Sequence, residues 1–118
     1  MKDNETIDEA TKMEAVRREF AELRRDRFVK YSNLTKEERA LHKKLKKYQR
    51  MKANGIKADE KRIASNAALV EMAMLKPRSI FAIGRIWGFH RIRVEKYGED
   101  LVSIISSHVE SQESNSKG

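Results

Sequence analysis

The chain has 118 residues, carries 26 Lys and Arg against 18 Asp and Glu for a net charge of +8, and contains no cysteine. That length holds one compact core and not two, and without cysteine a disulfide framework, a thiolate metal site and a cysteine nucleophile are all excluded. The composition fits an intracellular protein of the cytoplasm or nucleus, and no apolar run approaches the roughly 20 residues needed to span a bilayer.

The charge is unevenly placed. Residues 1–35 hold eight basic and eight acidic side chains, residues 36–109 seventeen and eight, and residues 110–118 one and two. The whole surplus therefore sits in the middle segment, where it attracts polyanions by counterion release. Nucleic-acid backbone is the commonest polyanion of this kind, and a merely solvating surface is the alternative.

In chain order, Thr6 and Glu9 are spaced as a capping box, and Met13, Val16, Phe20 and Leu23 recur at steps of three and four. This predicts an amphipathic helix over residues 7–30, its other faces covered by charges of both signs. Tyr31 to Leu34 break the pattern, and Thr35 with Glu38 opens a second helix whose buried stripe is Leu41, Leu45 and Tyr48. Asn54-Gly55 is expected to stop it. Off the stripe lie Lys43, Lys44, Lys46, Lys47 and Arg50, with no acid between Glu38 and Asp59.

A polar connector anchored by Ile63 follows. Asn66 is read as the N-cap of a helix ending at Leu75 ahead of Pro77, and Ser79 as the cap of a short helix from Ile80 to Arg85. Trp87-Gly88 makes a turn, a helix runs from Phe89 to Tyr97, Gly98 interrupts it, and a last helix runs from Glu99 to Val109. Ile86, Phe89, Ile92, Val94, Tyr97, Leu101, Ile104 and Ile105 supply the apolar positions of this hairpin. No strand alternation, Gly-rich loop or internal repeat is present, so the expected fold is all-α: a bundle of short helices over 35–109, an amphipathic helix and linker over 1–34, and a disordered polar tail over 110–118.

The chemistry points to binding. His42, His90 and His108 lack ligand spacing, and neither a P-loop nor a nucleophile elbow occurs, so no catalytic residue, metal or cofactor is expected. Backbone N–H groups after Gly88 can hold a phosphate flanked by Arg85, Arg91 and Arg93, or the turn can simply pack helices. Trp87 can stack on an unpaired base or sit in the core. The lysine-rich helix can track a backbone without reading sequence, extended by Lys61, Arg62 and Arg78.

The second half of the chain resembles the HRDC domain, the helicase and ribonuclease D C-terminal module of RecQ-type helicases and related nucleases. The matching stretches are Ser65-Asn66-Ala67-Ala68-Leu69-Val70-Glu71-Met72-Ala73, Pro77-Arg78-Ser79, Ile86-Trp87-Gly88-Phe89, and Lys96-Tyr97-Gly98 running on to Ile105. Two departures stand out. A charged connector over 56–62 replaces a Pro-Pro-aromatic one, and His90 stands where a second hairpin glycine is common. The resemblance implies a non-catalytic accessory module in DNA repair or recombination that binds single-stranded or partly unwound DNA and tethers a helicase or nuclease. RNA binding and recruitment of a protein partner or second copy are the alternatives, the latter resting on whether Met13, Val16, Phe20 and Leu23 are left uncovered.

Overall fold

The computed structural model describes the backbone of residues 2–117 and the side chains of residues 11–114. Among them there is no β-strand. Helix α1 spans Lys2–Asp26, α2 Lys36–Ile56, α3 Asn66–Leu75 and α4 Ile80–Ile83, with single 3₁₀ turns at Tyr31–Asn33 and Glu60–Arg62. The chain re-enters helix at α5, Arg91–Arg93, widens into a π-helical stretch over Val94–Gly98, and continues as α6, Glu99–Lys117.

Local chemistry sets most of the boundaries. Thr35 accepts from the Glu38 N–H while the Glu38 carboxylate accepts from the Thr35 N–H, the reciprocal cap its spacing predicts. Ser79 caps α4 by accepting from the Ala82 N–H, but α4 ends at Ile83, not Arg85. The cap of α3 is Ser65, not Asn66; its hydroxyl accepts from the Ala68 N–H, and Asn66 Oδ1 instead accepts from Lys46 Nζ. The expected capping box of Thr6 and Glu9 lies outside the described side chains; the helix itself starts earlier, at Lys2, and stops at Asp26.

Two glycines do other work than their positions suggest. Helix α2 runs through Gly55 to Ile56, and the left-handed residue that ends it is Lys57, at φ 54°. A β-carbon makes that conformation costly. Lys57→Gly is therefore expected to stabilise the fold by about 0.5–1 kcal/mol, read as a higher urea midpoint at unchanged slope. The other left-handed lysine, Lys76 at φ 52°, should show no such gain, because its Nζ lies 2.9 Å from Glu37 and 3.7 Å from Glu38.

Gly98 does not break the last helix. It is buried, and a β-carbon there would come within 3.2 Å of Val94 Cγ1 and 3.4 Å of Ile80 Cδ1. Its bareness lets α4 press against the π-helical turn, so α5, that turn and α6 form one uninterrupted rod. With no proline or glycine between Gly98 and Lys117 to interrupt it, the rod carries on to Lys117 through the polar segment expected to be a disordered tail from Glu110.

The core gathers Leu41 and Leu45 of α2, Leu69, Met72 and Ala73 of α3, Ile83, Ile86 and Phe89 of the α4 region, and Leu101 and Ile105 of α6. Ile92, expected among the apolar positions of the hairpin, is 67% exposed. Helices α2 and α6 run antiparallel: Tyr48 and Lys52 meet Asp100, while Lys44 and Glu37 meet His108. Helix α1 lies on the bundle with Phe20 buried and Val16 and Leu23 packed beside it, so its apolar stripe is covered within the chain from Val16 onward.

Candidate nucleic-acid interface

Arg24 of α1 donates from Nη2 to Glu71 Oε1 and to the Arg85 carbonyl at 2.9 Å, while Nε reaches Glu71 Oε2 at 3.3 Å. Glu71 Oε1 also accepts the Trp87 N–H at 2.9 Å. A buried carboxylate thus fastens both α1 and the turn between α4 and α5. Beyond Trp87, Gly88 adopts φ 79°, a left-handed conformation suited to glycine. Arg93 then ties the turn to the connector, Nη1 donating to the Gly88 carbonyl at 3.2 Å and Nη2 to the Lys61 carbonyl at 3.0 Å.

These ties leave Trp87 73% exposed on a well-anchored turn. They also close one side of an open groove of about 520 Å³, lined by Ile56, Lys61, Arg62, Ile92, Arg93, Lys96 and Tyr97. Gly88 and His90 adjoin it, sharing Ile92 and Arg93 in a smaller depression. Four cationic side chains thus surround an apolar floor, a combination suited to a ligand that is anionic along one edge and flat and apolar along another. His90 occupies the N-cap of α5 without a side-chain capping bond.

The other basic positions divide. Lys43 and Lys47 are exposed and meet no carboxylate among the described residues. Lys44 Nζ donates to His108 Nδ1 at 3.0 Å, and Lys46 Nζ is held by Gln49 and Asn66 at 3.0 and 2.9 Å with Glu60 at 3.5 Å. Arg50 lies 3.7 Å from Glu60, and Arg91 3.5 Å from Glu95. Arg85 stacks over Phe81 at 4.9 Å, and Arg78 lies apart, in a depression against Val16 and Phe20. The purely basic solvent face expected of α2 is therefore narrower, because the connector folds Glu60 back onto it.

Sequence reasoning missed Ile56, Lys96 and Tyr97 as groove walls and Glu71 as the anchor of the turn. A signal for Glu71 existed: it is the one charged residue in the otherwise apolar run Ala67 to Leu75, and a buried acid requires partners. Glu99 and Asp100 open α6 without standing at a free helix end. The rod begins at Arg91, and Asp100 instead accepts the Tyr48 hydroxyl at 2.7 Å. Burial raises the Tyr48 pKa above its ordinary value, and the bond to Asp100 adds to the rise.

Among the described residues no three His, Cys, Asp or Glu side chains are placed to hold a metal ion, and no helix is long and apolar enough to cross a membrane. No curated protein and no solved structure matches the chain. The sequence model of the HRDC domain matches residues 38–105, from the capping glutamate of α2 to the buried Ile105 of α6. With the match covering more than half of its length, the chain belongs to the HRDC domain family.

Proposed function

We propose that the chain is a nucleic-acid-binding accessory module that takes single-stranded or partly unwound DNA and tethers or orients a helicase or nuclease. Its family is one of non-catalytic accessory modules associated with those enzymes. The observation that carries the finer reading is Trp87: a large aromatic ring, anchored at its backbone, open to solvent and next in sequence to Gly88, whose depression adjoins a groove with Lys61, Arg62 and Lys96 on its walls. Unpaired bases stack on such rings, and the strand's phosphates meet the cations. Arg85, His90 and Arg91 lie around the same turn.

Covering of the α1 stripe by the bundle speaks against recruitment of a protein through that helix. The test is a fluorescence titration of this single tryptophan with an oligothymidylate. Quenching is expected on binding, with affinity falling steeply between about 50 and 200 mM salt. Read by the anisotropy of a labelled oligothymidylate, since the variant has no tryptophan, Trp87→Ala should weaken binding by about 1–3 kcal/mol, on the order of 5- to 150-fold, while leaving the salt slope unchanged, because stacking releases no counterions. Competition by duplex DNA and by RNA decides the polymer. Absence of binding at the lowest salt would reject the reading.

A further inference from the structure

Beyond the groove, α2 and α6 enclose a second depression of about 410 Å³, whose walls include Lys44, Lys47, Ser103, Ser107 and Ser111. We propose that this cleft is a second phosphate-binding site, which holds the sugar–phosphate backbone of a single strand whose bases occupy the groove and Trp87; the inference rests on the nucleic-acid reading above.

Three observations carry it. The first is uncompensated charge. Lys47 meets no carboxylate among the described residues, and Lys44 is held by an imidazole, not by an acid. An ammonium only donates, so His108 Nδ1 is the acceptor and its Nε2–H faces Glu37 at 2.6 Å. The ring aims Lys44 without neutralising it.

The second is the lining of the opposite wall. Ser103, Ser107 and Ser111 succeed one another at steps of four, each exposed, and so place hydroxyl donors about 6 Å apart along α6. Hydroxyls and lysines at a backbone-tracking surface bind phosphate oxygens without reading bases.

The third is continuity. Because α2 and α6 are antiparallel, the pairs Lys44–His108 and Tyr48–Asp100 lie in order along one seam, and Ile56 with Lys96 continues it into the groove. From Lys47 to Ile56 is nine residues of helix, or about 13 Å, a span of a few nucleotides of extended strand. Between the two ends Asp100 is occupied by the Tyr48 hydroxyl and lies 3.9 Å from Lys52, whereas Glu99, one turn before Ser103, is exposed. A strand crossing there passes one engaged acid, and it must run on the Lys52 side of Glu99.

The test compares a dinucleotide of thymidylate, too short to span the distance from groove to cleft, with a dodecanucleotide that reaches the cleft. In the double variant Lys47→Gln with Ser107→Ala, both exposed positions, dodecanucleotide affinity should fall by about five- to tenfold and the salt slope by about 0.7, the contribution of one phosphate on a single strand. Dinucleotide affinity and Trp87 quenching should stay within about twofold. Arg25→Gln, which removes a charge from an exposed position on α1, serves as control; circular dichroism verifies the fold of each. Equal losses for both lengths, or a dodecanucleotide loss no larger than that of Arg25→Gln, would overturn the cleft while leaving the groove intact. Failure of the unaltered chain to bind either length would overturn the nucleic-acid reading and the cleft with it.

Discussion

Glu71→Ala is expected to lower the unfolding free energy by about 3 kcal/mol and to loosen the turn that carries Trp87. The Glu71 side chain is 8% exposed within the otherwise apolar run Ala67 to Leu75, and its oxygens take bonds from Arg24 and from the Trp87 N–H. Removing the carboxylate strands both donors. An unsatisfied buried group costs roughly 1–3 kcal/mol, and loss of one partner of a buried ion pair roughly 3–5 kcal/mol. Arg24 is 35% exposed and can turn toward water, which holds the sum near the lower figure. Glu71→Gln keeps an oxygen for the Trp87 N–H and gives up only the charge, so its cost should be nearer 1–2 kcal/mol. The ordering is measurable from urea midpoints. Tryptophan anisotropy should fall in Glu71→Ala and hold in Glu71→Gln, since only the first frees the turn. A double-mutant cycle with Arg24→Ala should return a coupling of at least about 1 kcal/mol. A midpoint for Glu71→Ala equal to that of the unaltered chain would show that the turn is held by something else.

That anchor illustrates where sequence reading succeeds and where it stops. Caps are local: Thr35 and Glu38, or Ser79 and the Ala82 N–H, are three residues apart, so spacing alone reveals them. Pro77 after Leu75 is equally local. The all-α class and the family likeness rest on such short-range signals together with the apolar stripes of α2 and α6. A glycine is ambiguous by contrast. It serves either a left-handed backbone or a close approach, and only the tertiary neighbour decides which. Gly88 is the first kind at φ 79°, whereas Gly98 is the second, with Ile80 and Val94 pressed against it.

Charged side chains are harder still, because each has several possible partners far along the chain. Lys46 and Arg50 look free on a helical wheel until the connector brings Glu60 to them. Arg93 looks like a phosphate ligand, yet both of its Nη atoms donate to backbone carbonyls. Core burial is the commoner expectation for a residue like Trp87, and its exposure is not legible in the sequence, since an isolated aromatic beside a glycine carries no periodicity. The groove itself joins Ile56 to Ile92 and Tyr97 across more than 35 positions, a juxtaposition no local pattern encodes.

The fold should be at its most stable between about pH 6.5 and 10 and lose about 3 kcal/mol or more as acid is added down to pH 2, with one carboxylate responsible for much of the loss. Burial of Glu38 works to raise its pKa. Against it stand hydrogen bonds from Arg27 Nη1 and Nη2 at 2.9 and 2.6 Å and from the Thr35 N–H at 2.8 Å, together with the charge of the Lys76 ammonium 3.7 Å away. The partners prevail, and the pKa drops from 4.5 to about 2. A carboxyl that is more acidic folded than unfolded takes up its proton first in the unfolded chain. Its stabilisation is therefore complete above pH 4.5 and disappears as the pH falls toward 2, and at 1.36 kcal/mol per unit it amounts to at most about 3 kcal/mol. Burial opposes the shift of Glu37 as well, and its bonds from Lys76 and His108 outweigh it, so Glu37 adds in the same direction. Burial, with help from Lys46, lowers the His42 pKa, which starts a shallower decline as the pH passes below 6.5. At the alkaline end the raised pKa of Tyr48 has the opposite sign: its contribution is present below pH 10 and fades above it. The network that Glu38 joins clamps the end of α1 through Arg27, the residue that follows it, and the α3–α4 loop through Lys76, so its protonation should release helices on both sides at once. Thermal midpoints at pH 7, 4.5 and 3 measure the effect. Glu38→Gln should have a lower midpoint at pH 7 and a flatter decline between 4.5 and 3 than the unaltered chain; parallel declines would assign the acid limb to other carboxylates.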